Sequence, residues 1–586
     1  MRCALWPFAL RCGKNGTMED QGTPNAPKPR HFLWFILGWG LLLLSLWALA
    51  QPVKQTITRI YLHQQDGDLT LATLCLWLGG SLVALGWHPA RRLDLPRWGV
   101  GLLAVVLVGL CWAGWRWLLD GYSMSRDERM VVFDAAIYGA GKLAWPMPPE
   151  WRADASALNL LFTLPVGRPI AWVSAYLPGN AMLQAVFGSL KGPLLVGISV
   201  LALWGVARRW LDREASVVAL VLFVLSGQVL FTGMTVFAMP AHLAVNLVWL
   251  WLFLRDDRRS DLAALLLGFV GTGLHQPLFH PMFVAPWLLV LAAQKRWGRL
   301  ALFCGVYGAI GLFWLWWPHV TLGLVKGPDS IIVDAGSDYW TRLTDTLAHN
   351  QQNFVLMAAN LFRMAAWTHP LLWVMAAIGA GAAFGPKRDV RVAALLGGIV
   401  AIVVVFTAIL PFQGHGFGYR YLHQVLGNAA LLGGFGWQRL GPLRDRLRGG
   451  FVAVSVATAL VLLPMQALDA RKLYHAFAVT SARMDASGAD YLLIGQYDSP
   501  LALDLAYNRA DLSNHPIRLS ENDIEDVDRL AAHICAKGAS IALPRRSFYM
   551  TLAEAVHSHP GRMADRLFAE RASEFGDAGC RIIELR

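Results

Sequence analysis

The chain has 586 residues, is 56% hydrophobic and only 15% charged, and carries a formal net charge of +12. Soluble domains hold roughly 25% charged residues, so a soluble globule is excluded and an integral membrane protein of many spans is expected. The basic excess lies in short loops between apolar runs, which marks topology and membrane lipids as partners rather than nucleic acid.

Residues 1–30 read as a disordered cytoplasmic N-terminus: stretch 4–10 is a short apolar run, 15–29 is polar and turn-rich, and Met18 is an alternative start. A span needs about 20 apolar residues. Candidates follow at 32–50, 69–87, 98–119, 192–207, 215–233, 237–254, 261–274, 281–293, 300–317, 367–385, 392–411, 422–437 and 450–468. The expected fold is thus a polytopic α-helical transmembrane domain over 31–468, with about thirteen helices. The short pair 261–274 and 281–293 reads as two spans meeting at the turn His275-Gln-Pro-Leu-Phe-His280-Pro, since merging them would invert every later loop.

With the N-terminus cytoplasmic, the inside connections hold Arg91, Arg92 and Arg97, then Arg208, Arg209 and Arg213, and later Lys387, Arg388 and Arg391. That is the basic bias expected of cytoplasmic loops. A large outer loop at 120–191, the turn at 275–280, the segment 413–421 and residues 469–586 then share the outer side. The last is expected to be an extracytoplasmic α/β domain, with strands near 491–495 and 540–543 and a helix over 524–537, and without a nucleotide fingerprint. Cys535 and Cys580 would pair if this segment lies outside the cytoplasm; two unpaired small hydrophobes is the other reading.

The outer loop opens Ser125-Arg126-Asp127-Glu128-Arg129. Ser125 with Glu128 three residues on is a capping box, which accounts for Glu128 structurally. Asp127 is left without such a role, and a carboxylate there suits proton transfer from an acceptor hydroxyl. Asp134, seven residues on, falls on the same helix face, and Arg126 and Arg129 serve on the blander reading as surface neutralisers. The loop continues through Trp145 and its prolines to Tyr176-Leu177-Pro178-Gly179; interfacial anchoring and substrate contact both fit its aromatic content.

Two further clusters stand out. His275, Gln276 and His280 are a weak metal signal; contact with a lipid phosphate and a structural role in the broken helix pair fit equally. Gln413-Gly-His415-Gly-Phe-Gly-Tyr419-Arg420-Tyr421 combines three glycines with one guanidinium, which can fork onto a phosphate. Snorkelling of Arg420 to water is the alternative.

Asp127-Glu128 with Phe133-Asp134-Ala135, then Tyr176-Leu177-Pro178-Gly179, then Gly418-Tyr419-Arg420-Tyr421, resemble segments of bacterial polytopic glycosyltransferases of the GT-C superfamily, which includes protein O-mannosyltransferases and aminoarabinose transferases. The resemblance spans about residues 98–468. It implies transfer of a sugar from a polyprenyl-phosphate donor to an acceptor hydroxyl of a glycan, lipid or protein, at the outer face of a bacterial inner membrane. On that resemblance Asp127 is the base and Glu128 its neighbouring candidate. Arg420 holds the leaving phosphate, with Tyr419, Tyr421, His275, His280 and Tyr176 as further substrate contacts. A divalent metal ion as cofactor stays open, with Asp329, Asp334 and Asp338 in the outer loop 318–366. Two other classes fit part of the pattern. A lipid-linked-oligosaccharide transporter or flippase would concentrate polar groups at mid-membrane in broken helices. An O-antigen-type polymerase or ligase would share the outer loop and the arginine.

Overall fold

The computed structural model describes residues 56–159, 163–164, 166–332, 344, 351–384, 388–536 and 538–586. The expected leader at 1–30, Met18, the span at 32–50, Asp334 and Asp338 lie outside the described residues.

Six helices are long and apolar enough to cross a membrane: Gly67–Gly86, Arg97–Leu118, Gly179–Trp210, Trp297–Val325, Val390–Ile409 and Leu443–Asp485. A seventh candidate is a pair, Arg213–Val224 and Gly227–Gly233, bent by 53°. Leu82, Leu85, Leu312 and Leu460 stay exposed along these helices, as side chains facing lipid would. The protein is a polytopic helical membrane protein. Thirteen full-length spans are not reached among the described residues. Met239–Phe253, Arg258–Thr272 and Phe279–Ala293 have 15 residues each, about 22 Å at 1.5 Å per residue, against a hydrocarbon core of about 30 Å.

The bend follows from local chemistry. Ser226 donates its hydroxyl to Leu222 O at 2.7 Å and accepts from His369 N at 3.1 Å, so the backbone turns at this point. At the far end of the chain, the helix Leu463–Asp485 runs straight across residues 468 and 469, where the soluble segment was expected to begin.

Four strands follow: β1 (Tyr491–Ile494), β2 (Ile517–Ser520), β3 (Ser540–Pro544) and β4 (Arg581–Leu585). They form one parallel sheet in the order β2-β1-β3-β4. Parallel neighbours need crossover connections; the helix Val527–Cys535 links β2 to β3, and Met563–Asp577 precedes β4. Every residue of β3 is buried, as strands covered on both faces require. Cys535 and Cys580 form a disulfide.

The loop expected at 120–191 shares a core with this sheet. Its helix α1 (Arg126–Gly139) contributes Met130, Phe133 and Ile137 to a cluster with Trp151 and Trp172 and with Leu493, Ile517, Leu519 and Ile541 of the strands. Trp172 also donates its indole N–H to Ala510 O at 2.9 Å. These loop aromatics are therefore taken up in packing between loop and sheet, where anchoring at the membrane surface was one of the two expectations. Burial of large rings against a sheet removes more apolar area from water than surface contact would.

Candidate active site

α1 starts where its capping chemistry dictates. The Ser125 hydroxyl accepts from Glu128 N at 3.2 Å, and Glu128 Oε2 accepts from Ser125 N at 3.1 Å. Tyr474 donates to the same carboxylate at 3.0 Å, and Glu128 is buried. Burial pushes the Glu128 carboxyl up, against the pull of Ser125, Tyr474 and Arg129. The expected second acid is thus engaged in the helix cap and in the contact with the last long helix.

Asp127, one residue earlier, turns the other way. Its Oδ1 accepts from Tyr176 Oη at 2.6 Å and its Oδ2 from Arg420 Nη2 at 2.8 Å. Burial works against the charged form, but the Arg420 guanidinium, the hydrogen bonds from Tyr176 and Arg420, and His275 outweigh it. The Asp127 carboxyl consequently sits below its ordinary value. Its side chain keeps 18% of its area exposed, whereas Arg420 keeps 3%. Asp134, two turns on, faces the same strip of chain: Ser174 donates its N–H at 3.0 Å and its hydroxyl to the Asp134 carboxylate. Burial raises that carboxyl to about 7, opposed by the Ser174 bonds.

Arg420 is held by the turn it ends. Its backbone N–H donates to Gln413 Oε1 at 2.6 Å, its Nη2 also donates to Gln413 O, and Gln413 Nε2 donates to Gly418 O at 2.7 Å. The guanidinium lies 4.4 Å above the Phe237 ring. Gly416, at φ +146°, leaves room for it: a Cβ there would come within 2.4 Å of Arg420 Cδ. The Arg420 Nε is buried without a partner among the described residues, and so is the Tyr419 hydroxyl. Tyr421 lies with its ring 4.5 Å from Phe406 and donates to Phe412 O at 3.3 Å.

The two histidines of the turn part company. Backbone bonds from Leu177 to His275 O (3.1 Å) and from Gly179 to Gly273 O (2.9 Å) zip residues 177–179 onto residues 273–275. This brings the His275 ring within 4.1 Å of Tyr176, beside the Asp127–Arg420 pair. Burial lowers His275 to about 4, with Asp127 opposing and Arg420 and Lys191 adding to the fall, so the ring is neutral at pH 7. His280 instead bonds Asn246 Oδ1 at 2.7 Å and Tyr307 Oη at 2.8 Å inside the bundle, and both of its nitrogens are occupied there.

Several neighbours carried no signal in the sequence. Phe237 stands under Arg420. Lys191 is buried and donates its Nζ to Asn180 Oδ1 (2.7 Å) and to Val236 O (2.6 Å), the residue before Phe237. Only the rarity of a lysine opening an apolar run could have pointed to it. Among the described residues no three His, Cys, Asp or Glu side chains gather as a metal site would need, and Asp329 is exposed.

The arrangement joins an ionised, partly accessible carboxylate to a buried guanidinium with unspent donor capacity. Such a pair can accept a proton on one side and hold an anion on the other.

No protein-family model matches the chain, and no curated protein matches it. Among solved structures, it is similar to the crystal structure of ArnT from Cupriavidus metallidurans bound to undecaprenyl phosphate, over 82% of this chain and 90% of that one, at 14% identity and a TM-score of 0.38. For ArnT from Cupriavidus metallidurans in the apo state the coverage is 80% and 88%, the identity 14% and the TM-score 0.35. Both likenesses are loose, and the chemistry of this chain has to be read from its own residues.

Proposed function

We propose that the protein is a membrane glycosyltransferase of the GT-C kind, transferring a sugar from a polyprenyl-phosphate donor to an acceptor hydroxyl at the outer face of a bacterial inner membrane. The observation that carries this reading is the contact between Asp127 and Arg420, two groups 293 residues apart brought to 2.8 Å. In the reaction the acceptor oxygen attacks the anomeric carbon as its proton passes to Asp127. The bond from that carbon to the phosphate oxygen breaks, and its electron pair stays on the phosphate, which Arg420 holds. Fixed donors aimed at a leaving anion act best in a site shielded from water, and Arg420 is almost wholly buried.

Asp127 and the phosphate share one guanidinium. An arriving phosphate takes up the unpartnered Nε and draws Arg420 away from Asp127. The carboxylate, then left with Tyr176, gains basicity when the donor is in place. His275, neutral and tilted against Tyr176, contributes a ring face or one N–H rather than a charge. Tyr419 offers the buried hydroxyl beside Arg420. Placement of the site outside the cytoplasm is supported by the basic inner loops and by the Cys535–Cys580 disulfide, which belongs to oxidising compartments.

The test is transfer from a polyprenyl-phosphate sugar by the purified full chain in lipid nanodiscs. Transfer by the wild type with at least a hundredfold loss in Asp127→Asn is expected. Wild-type rates in that variant would remove Asp127 as the base.

A further inference from the structure

We propose that Asp504, from the C-terminal sheet region, is a positioning residue for this transfer: its single carboxylate sets the loop bearing Asp127 against the turn bearing Arg420. The inference rests on the transferase reading above.

Asp504 lies in the one-turn helix Ala502–Leu505 after β1 and is buried. Its Oδ1 accepts from Arg126 Nε at 2.5 Å, and Arg126 is the residue before Asp127. Its Oδ2 accepts from His415 Nε2 at 2.9 Å, and His415 sits in the glycine-rich turn, five residues before Arg420. Burial opposes the charge on Asp504, but the His415 and Arg126 contacts outweigh it and hold its carboxyl below the ordinary value. An ionised carboxylate only accepts, so His415 Nε2 carries a proton towards Asp504, and its Nδ1 lies 2.8 Å from Tyr61 Oη. The two contacts together fix the orientation of the ring.

The turn is gripped from the bundle side as well. Arg363 donates to Gly416 O at 2.8 Å, lies 4.6 Å over the Tyr61 ring and pairs with Asp66 at 2.9 Å. On the other side, the position of Asp504 is referenced to the sheet, because the neighbouring Leu505 O accepts from Arg518 of β2 at 3.0 Å. The backbone of 413–420 is therefore clamped between sheet and bundle.

This second tie has a physical purpose. The Asp127–Arg420 contact must loosen when the donor phosphate arrives, so it cannot also keep the two loops in register during the reaction. Asp504 touches neither reacting group and keeps its bonds while that contact opens. A displacement of about 1 Å in a reacting group is enough to cost on the order of a hundredfold in rate.

The experiment is steady-state kinetics on the full chain in nanodiscs for Asp504→Asn, Asp504→Glu, Arg126→Gln and the Arg126→Gln/Asp504→Asn double variant, with binding of a polyprenyl phosphate alone measured in parallel. For Asp504→Asn, kcat is expected to fall at least tenfold and donor KM to rise at least fivefold, with acceptor KM within twofold. Polyprenyl phosphate binding weakens in step, Asp504→Glu recovers most of both, and the double variant is no worse than Asp504→Asn. A loss of Vmax that only follows the folded fraction, with donor KM and lipid binding unchanged, would overturn the positioning role. So would wild-type kinetics. If Asp504→Asn does not fold, Arg126→Gln carries the same split, since it leaves the carboxylate bonded to His415. An active wild type with an unaffected Asp504→Asn defeats this inference alone, whereas a wild type that transfers nothing defeats the transferase reading.

Discussion

Two buried ion pairs flank the glycine-rich turn, and they differ in one respect. Asp66–Arg363 is closed: both side chains are 0% exposed, and Trp367 donates to the remaining oxygen of Asp66 at 2.7 Å. Asp127–Arg420 is open on the carboxylate side, where 18% of Asp127 stays accessible. Both place a guanidinium on a carboxylate, yet only the second leaves a reactive oxygen within reach of a partner. Ionic pairing alone does not mark a site; accessibility of one member does.

The comparison breaks most directly at the two acids. Asp127→Asn is expected to cost at least a hundredfold in kcat while the protein stays folded. Asp66→Ala leaves a buried cation unpaired and should cost about 3–5 kcal/mol of stability, read as a lower melting midpoint or lost yield, with the surviving folded fraction still active. A reversal of these two outcomes would dissolve the distinction.

Arg420→Gln tests the open pair from its other end. Donor affinity should fall by about tenfold or more. With the guanidinium gone, burial still disfavours the Asp127 charge, so its pKa rises. The acid limb of the pH–rate profile should lie at higher pH in the variant than in the wild type. An unmoved limb would mean that Arg420 does not set the state of Asp127.

Gly416→Ala is a milder probe. The added methyl meets the Arg420 stem and forces an unfavourable backbone, at a cost of about 1–2 kcal/mol, with a severalfold rise in donor KM if Arg420 is displaced. The smallest effect is expected at Asp134. Its folded pKa of about 7 lies above the unfolded value, so its stabilising contribution is complete in acid and is lost as pH rises through 7. Asp134→Asn should flatten the melting midpoint between pH 5 and 8, with a gain over wild type at pH 8.

Parts of this site were legible before any fold was known. The capping box named Ser125 and Glu128 because it is purely local, and the seven-residue spacing put Asp134 on the face of Asp127; both face residues 174–176. Arg420 stood out because guanidinium is costly between apolar runs. His275 and His280 looked equivalent, since a separation of five positions, with one proline between them and another after His280, says nothing of which ring turns inward. Phe237 and Asp504 were silent for a related reason. Each is ordinary in its own neighbourhood, and its contact lies with a residue dozens to hundreds of positions away.

The amino-acid sequence by itself determined a membrane protein of many helices, short basic connections between apolar runs, an acid opening the long loop after residue 120 and an arginine before a late helix, because hydropathy, charge bias and capping are local properties of the chain. Only tertiary structure decided that Asp127 and not Glu128 meets Arg420, that the loop aromatics pack on the C-terminal sheet, and that one carboxylate in the short helix beside that sheet spans both loops. Those outcomes depend on which distant groups share a buried space, where an unpaired charge is too costly to leave alone.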